Sequence, residues 1–264
     1  MSAGAAGPAG ERGSRLEAIP RADVLALIPA AGRALRLRPL EMSKEILPVG
    51  DRIACQDLLE AFDAAGIRRG LLLTRREKLD VPRRIDRLSL TSLRLATLLV
   101  PETPSVSHTL DHAWPFVRGR TVALGFPDVL LEPPTVFREL LDRYAETGAD
   151  LVLGLFPADE PARSDLVAVD EAGRVLEVLV KPPASPLTRT WMAAVWSPRF
   201  TDHLHRSLAA PPPLGATELQ LGHLVRSALA AGLPVQSVDF PRGRALDIGT
   251  PEALSRARTR AEDA

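Results

Sequence analysis

The chain has 264 residues, 45% hydrophobic and 25% charged, an ordinary globular composition with room for one large α/β domain. Its 33 basic and 33 acidic residues cancel, so no global field favours nucleic acid, and an anionic substrate needs a local positive site. One cysteine, Cys55, excludes an intrachain disulfide and does not suggest a cysteine-based metal site, and no run approaches the about 20 apolar residues that span a bilayer.

Residues 1–21 begin Ala/Gly-rich without the apolar core of a secretory signal, which predicts a flexible tail on a cytoplasmic protein. The run at 24–29 is short, continuous and apolar, the pattern of a strand buried on both faces. A small-residue turn with two arginines, Ala30-Ala-Gly-Arg-Ala-Leu-Arg36, follows it. An amphipathic helix over about 53–65, stopped by Gly66, and a strand at 71–74 complete a βαβ unit. Cys55 falls in that helix as a small core residue.

Further along, the spacing predicts strands at 93–100 and 121–126 with a helix at 109–117 between them. Val136, Phe137, Leu140, Leu141 and Tyr144 mark a helix over 135–146, and a buried strand follows at 149–156. Two short strands within 166–180 flank Asp170-Glu-Ala-Gly173, a hairpin turn signal. A strand at 190–197, a helix at 198–210, a proline-rich loop at 211–213, a helix near 217–231, a strand at 235–240 and a helix from Thr250 close the chain. The expected architecture is a single domain over 22–264: a mixed, mostly parallel sheet with helices on both faces and an antiparallel insertion in its second half.

Ligands in such sheets bind beyond the carboxyl ends of the strands. That rule selects the turn after Pro29, the loop near Ser107, Asp128 and Asp247. Ala30, Ala31 and Gly32 leave backbone N–H groups free to approach a phosphate chain, which Arg36 and Lys44 could neutralise. The same residues also suit a plain strand-to-helix connection. Asp128 alone suits a turn or a helix cap, and Thr250-Pro251 reads as the cap and first position of a helix. His108 and His112 stand four apart without an evident third ligand, and Trp114, Trp191 and Trp196 suit core packing as well as an acceptor pocket.

The segment Ile28-Pro-Ala-Ala-Gly-Arg-Ala-Leu-Arg-Leu-Arg-Pro-Leu-Glu-Met-Ser-Lys-Glu-Ile-Leu-Pro-Val49 resembles the signature of sugar-1-phosphate nucleotidyltransferases, A-A-G-x-G-T-R-L-x-P-L followed by a lysine before Leu-Pro. Leu124-Gly-Phe-Pro-Asp128, Leu179-Val-Lys-Pro182 and Ala245-Leu-Asp-Ile-Gly-Thr-Pro-Glu252 resemble the L-G-D, E-K-P and D-I-G-T-P-E segments of the same family, in the same order. The resemblance implies a Rossmann-like, glycosyltransferase-A-type fold. It implies transfer of a nucleoside monophosphate from an NTP, dTTP or UTP foremost, to a sugar 1-phosphate, with release of pyrophosphate. By this likeness Ala30, Ala31, Gly32 and Arg33 wrap the nucleotide phosphates, Arg36 and Lys44 are catalytic, and Lys181 meets the acceptor phosphate. Asp128 and Asp247 hold Mg²⁺, a hard cation suited to two carboxylates and several waters. Ser107 and Thr109 lie where the family reads the base, and either residue could instead cap a helix. The partners implied are an NTP and a phosphorylated small molecule, without nucleic acid or membrane, and a homo-oligomer is a state that such relatives often adopt.

Three departures from the pattern stand out. Ala34-Leu35 replaces Gly-Thr, Val180 replaces the glutamate of E-K-P, and Ser164-Asp165-Leu166 stands where Tyr-Gly is common. They leave two alternatives: a cytidylyltransferase with a non-sugar phosphorylated acceptor, and a non-catalytic nucleotide- or sugar-phosphate-binding regulatory homologue.

Overall fold

A computed structural model describes residues 21–37, 39–209 and 218–262. Apart from Arg21, the expected tail lies outside the described residues, as does the proline-rich loop at 211–213. The chain begins with β1 (Leu25–Pro29), β2 (Pro48–Val49), β3 (Arg52–Ile53), α1 (Gln56–Ala64), β4 (Arg69–Thr74), α2 (Asp80–Ile85) and β5 (Arg94–Leu99). There follow α3 (Val106–Asp111), α4 (Trp114–Val117), β6 (Val122–Gly125), β7 (Val129–Glu132), α5 (Val136–Thr147) and β8 (Leu151–Pro157). The last part holds β9 (Leu166–Val169), β10 (Val175–Leu179), β11 (Arg189–Trp196), α6 (Pro198–Ser207), α7 (Leu221–Ala230), β12 (Val235–Asp239), β13 (Arg244–Asp247) and α8 (Pro251–Glu262).

Nine strands form one sheet, in which β12, β8, β11, β6, β1, β4 and β5 lie side by side and the β9–β10 hairpin joins at the start of β11. Pairing is parallel across β6, β1, β4 and β5 and between β8 and β12, while β11 runs antiparallel to both β6 and β8. The apolar runs are buried as their composition requires: Ala26, Leu27 and Ile28 of β1 are at most 1% exposed. Residues of α1, α2 and α5 pack on one face and residues of α3, α6 and α7 on the other. The stripe on α5 buries Val136, Phe137, Leu140, Leu141 and Tyr144, and each large side chain so buried contributes about 1.5–3 kcal/mol. Gly148, at φ 61°, then ends the helix in a left-handed turn.

The mixed sheet, the hairpin and the antiparallel insertion agree with the sequence reading. Some boundaries do not. The helix expected over 109–117 is two short helices, because Pro115 opens the second and supplies no N–H to continue the first. The helix expected from Ile53 starts at Gln56, with Ile53 in β3 and Cys55 buried at its N-cap position. Two small antiparallel pairings, the β2–β3 hairpin and the long-range pair of β7 with β13, were not foreseen. Among the described residues no helix is long and apolar enough to cross a membrane.

Candidate active site

The second unforeseen pairing builds the site. β6 ends at Gly125, a short turn carries Asp128, and β7 starts with Val129. Because β13 pairs antiparallel with β7 in a register that sets Asp247 opposite Val129, the last residue of one strand meets the residue before the other. The Ile248 N–H donates to the Asp128 carbonyl at 3.0 Å and closes that end. Partial burial and the neighbouring Asp128 charge hold the Asp247 carboxyl above its ordinary value, opposed by Lys44, the Gly249 N–H and Arg36. Gly249 is fitted between two of these groups. A Cβ there would stand 2.7 Å from Arg36 Nη2 and 2.8 Å from Asp247 Oδ1, which accepts the Gly249 N–H at 2.7 Å.

Both catalytic cations expected from the sequence reach this pair. Lys44 opens a 3₁₀ turn, Lys44–Ile46, and its ammonium donates to Asp128 Oδ2, with the two side chains only 16% and 15% exposed. Burial works against the Lys44 charge, but attraction and hydrogen bonding to Asp128, with Glu45 and Asp247 behind, raise its pKa overall. Asp80 fixes the approach of this segment by accepting the Ser43 N–H and hydroxyl, each at 2.8 Å. Arg36, in the turn Leu35–Leu37, lies 3.8 Å from Asp247 Oδ2 and is 61% exposed, so its guanidinium faces the open side of the carboxylates.

The turn after β1 is held from below. The Ala30 N–H donates to the Leu73 carbonyl at 2.7 Å; Ala30 and Ala31 are buried, whereas Gly32 and Arg33 are exposed. Ala34, which replaces a glycine of the resembled signature, takes φ 51°, a left-handed conformation that favours glycine. Sequence reading missed the support beneath. Lys78 Nζ donates to the Gly32 carbonyl at 3.1 Å and to Glu45 Oε1 at 2.6 Å, with Glu45 1% exposed. Burial drives both groups toward neutrality, raising the Glu45 pKa and lowering that of Lys78 against their mutual attraction. A charge-rich segment after a strand, Arg75-Arg-Glu-Lys78, was the only signal. A cavity of about 430 Å³ opens here, lined by Gly32, Arg33, Ala34, Lys44, Arg75 and Lys78 among others.

The remaining candidates lie elsewhere. Ser107 and Thr109 sit inside α3 rather than at its cap, which is Ser105. Ser107 is fully buried with its hydroxyl unpartnered among the described residues, while the Thr109 hydroxyl contacts Thr103 Oγ1 and donates to the Ser105 carbonyl at 3.3 Å. Lys181 is exposed in the turn after β10, where its charge acts on Asp165 and His223 rather than on the aspartate pair. Trp191 and Trp196 are core residues, and Trp114 stacks on His205 at 4.2 Å between ring centroids. His108 shares a hydrogen bond of 2.9 Å with Ser105 Oγ.

Asp128 and Asp247 fit a divalent cation by their chemistry: two neighbouring carboxylates, with the Asp247 proton affinity raised by burial and by the Asp128 charge. No cluster of three or more His, Cys, Asp or Glu side chains suited to a metal occurs among the described residues. Two protein ligands leave the other positions to water and substrate oxygens, the habit of Mg²⁺.

A strand-end carboxylate pair with Lys44 and Arg36 on it is the arrangement to compare with known proteins. The chain belongs to the nucleotidyl transferase family, whose model matches residues 25–264. UTP–glucose-1-phosphate uridylyltransferase of Klebsiella pneumoniae is 24% identical over 267 residues, 86% of this chain and 88% of that one. The structure of a UDP-glucose pyrophosphorylase complexed with UDP-glucose superposes with a TM-score of 0.79 at 17% identity, over 91% of this chain and 98% of the other. A Bacillus anthracis protein described as a glucose-1-phosphate thymidylyltransferase, in complex with sucrose, gives 0.78 at 17% identity over 91% and 96%.

Proposed function

We propose that the chain transfers a nucleoside monophosphate from dTTP or UTP to a sugar 1-phosphate and releases pyrophosphate, using Mg²⁺ held by Asp128 and Asp247. The observation that carries this reading is the β7–β13 register, which puts Asp247 beside Asp128 with Lys44 and Arg36 on the pair. Bound there, the cation would offset the repulsion between the NTP α-phosphate and the incoming acceptor phosphate. The exposed N–H groups around Gly32 and Arg33 cradle the triphosphate. Lys44 and Arg36 place positive charge where the departing pyrophosphate gathers negative charge. The attacking phosphate oxygen is already anionic, so no side chain has to remove a proton, and rate comes from alignment and charge. Lys181, exposed in the turn after β10, is the group assigned to the acceptor phosphate. The relatives named for UTP, UDP-glucose and glucose 1-phosphate support the choice of substrates. We place the reaction in the cytoplasm, where nucleoside triphosphates are found.

The presence together of Arg36, Lys44, Asp128 and Asp247 supports catalysis over a purely regulatory role, since binding alone does not need the carboxylate pair. Pyrophosphate release from five nucleotides (ATP, GTP, CTP, UTP and dTTP) against a panel of phosphorylated acceptors tests the reading. One nucleotide with one sugar 1-phosphate should dominate. Turnover only with CTP and a phosphorylated alcohol or phosphonate would replace it by the cytidylyltransferase, and nucleotide binding without release by the regulatory homologue.

A further inference from the structure

Beneath the turn that carries Lys181 lies a carboxylate that the mechanism does not use. Asp165 directly precedes β9, and its Oδ1 is closed off from solvent without a hydrogen-bond partner among the described residues. Burial pushes the Asp165 carboxyl up, while the Lys181 charge and the backbone N–H groups of Gly222 and Lys181 pull it down.

Two backbone features surround this group. Lys181 has φ 43°, a left-handed conformation that a lysine rarely adopts unless its surroundings hold it there. Gly222, in the first turn of α7, has no room for a side chain. A Cβ would stand 2.4 Å from Asp165 Oδ2 and 2.9 Å from Val180 Cγ2. The carboxyl therefore sits against the Gly222 N–H in the first turn of a ten-residue helix, at its positive end. Its neighbour Ser164 lines a cleft with Arg36, Thr190 and Asp247, so the junction borders the reaction site.

An exposed lysine that merely meets solvent needs none of this. We propose that Asp165 is a positioning residue for Lys181: it gathers the start of β9, the Lys181 turn and the first turn of α7 so that the ammonium is directed at the acceptor phosphate. This rests on the acceptor-phosphate role proposed for Lys181. Asp165 itself touches no substrate and acts through the backbone and charge of Lys181.

The test is steady-state pyrophosphate release with the nucleotide and sugar 1-phosphate that turn over fastest in the panel above. Asp165→Asn keeps the size of the side chain and removes its charge. It should raise the acceptor KM roughly tenfold and leave the nucleotide KM unchanged. Lys181→Ala should raise the acceptor KM at least as much, and adding Asp165→Asn to it should change little further. A fall in kcat with both KM values unchanged, or fully additive effects in the double variant, overturns the role of Asp165 alone. An unchanged acceptor KM in Lys181→Ala overturns the assignment of Lys181 and the proposal with it. Melting curves of the Asn variant separate a loss of fold from a loss of positioning.

Discussion

Ala34 carries a conformational cost at the mouth of the phosphate turn. An L-residue at φ 51° is disfavoured by about 1–2 kcal/mol relative to glycine, part of which glycine returns through the entropy of the unfolded chain. Ala34→Gly should therefore raise thermal stability by up to about 1 kcal/mol without loss of activity, read from melting curves and kcat/KM. Gly249→Ala should do the reverse. Its Cβ would collide with Arg36 and Asp247, so kcat/KM should fall by roughly a hundredfold in a protein that still folds. At this scale the sequence was informative where a residue sits in a long pattern: Arg36, Lys44, Asp128 and Asp247 were all named from motifs, and the structure gathers all four. It was silent where a role depends on distant packing. Nothing local in Arg75-Arg-Glu-Lys78 shows that Lys78 turns inward beneath Gly32, and nothing in Ser164-Asp165 shows a carboxyl with one oxygen closed off from solvent.

Among the elements, two loops are tied by the buried Glu45–Lys78 pair. Lys78→Met leaves a carboxylate buried without its partner and should destabilise the protein by about 3–5 kcal/mol, measured by denaturant unfolding. Combined with Glu45→Leu, most of that loss should return, yet nucleotide KM should stay raised because the Gly32 carbonyl has lost its donor. Asp63 makes a second tie. It accepts the N–H groups of Thr91, Ser92 and Leu93 at 2.7 to 2.8 Å and holds the chain into β5. Burial opposes its charge, but these hydrogen bonds win and its carboxyl lies below the ordinary value. The sign follows: the stabilisation is complete above the unfolded carboxylate pKa of about 3.9 and fades as pH falls through the lower folded value. The stability gap between wild type and Asp63→Asn should be constant near neutrality and shrink below about pH 4. The long buried strands could be read from the sequence because continuous apolar runs have few other homes. The four-residue strands β7 and β13 could not, since each has only two or three apolar residues before a charged end and they pair only with each other.

Across the whole molecule, a third small core explains how a site spread from residue 28 to residue 252 stays assembled. Leu37, Leu47 and Val49 of the signature segment pack with Ile248 and with Leu254 and Ala257 of α8, so the two ends of the chain close around the aspartate pair. The account therefore stands on that pair acting through a divalent cation. The most direct measurement is pyrophosphate release against Mg²⁺ concentration for the wild type, Asp128→Asn and Asp247→Asn. Release by the wild type should saturate with Mg²⁺ and vanish with chelator, and each variant should lose about a hundredfold or more in kcat while keeping its melting temperature. Release that needs no divalent cation, or that survives undiminished in Asp247→Asn, would contradict the account.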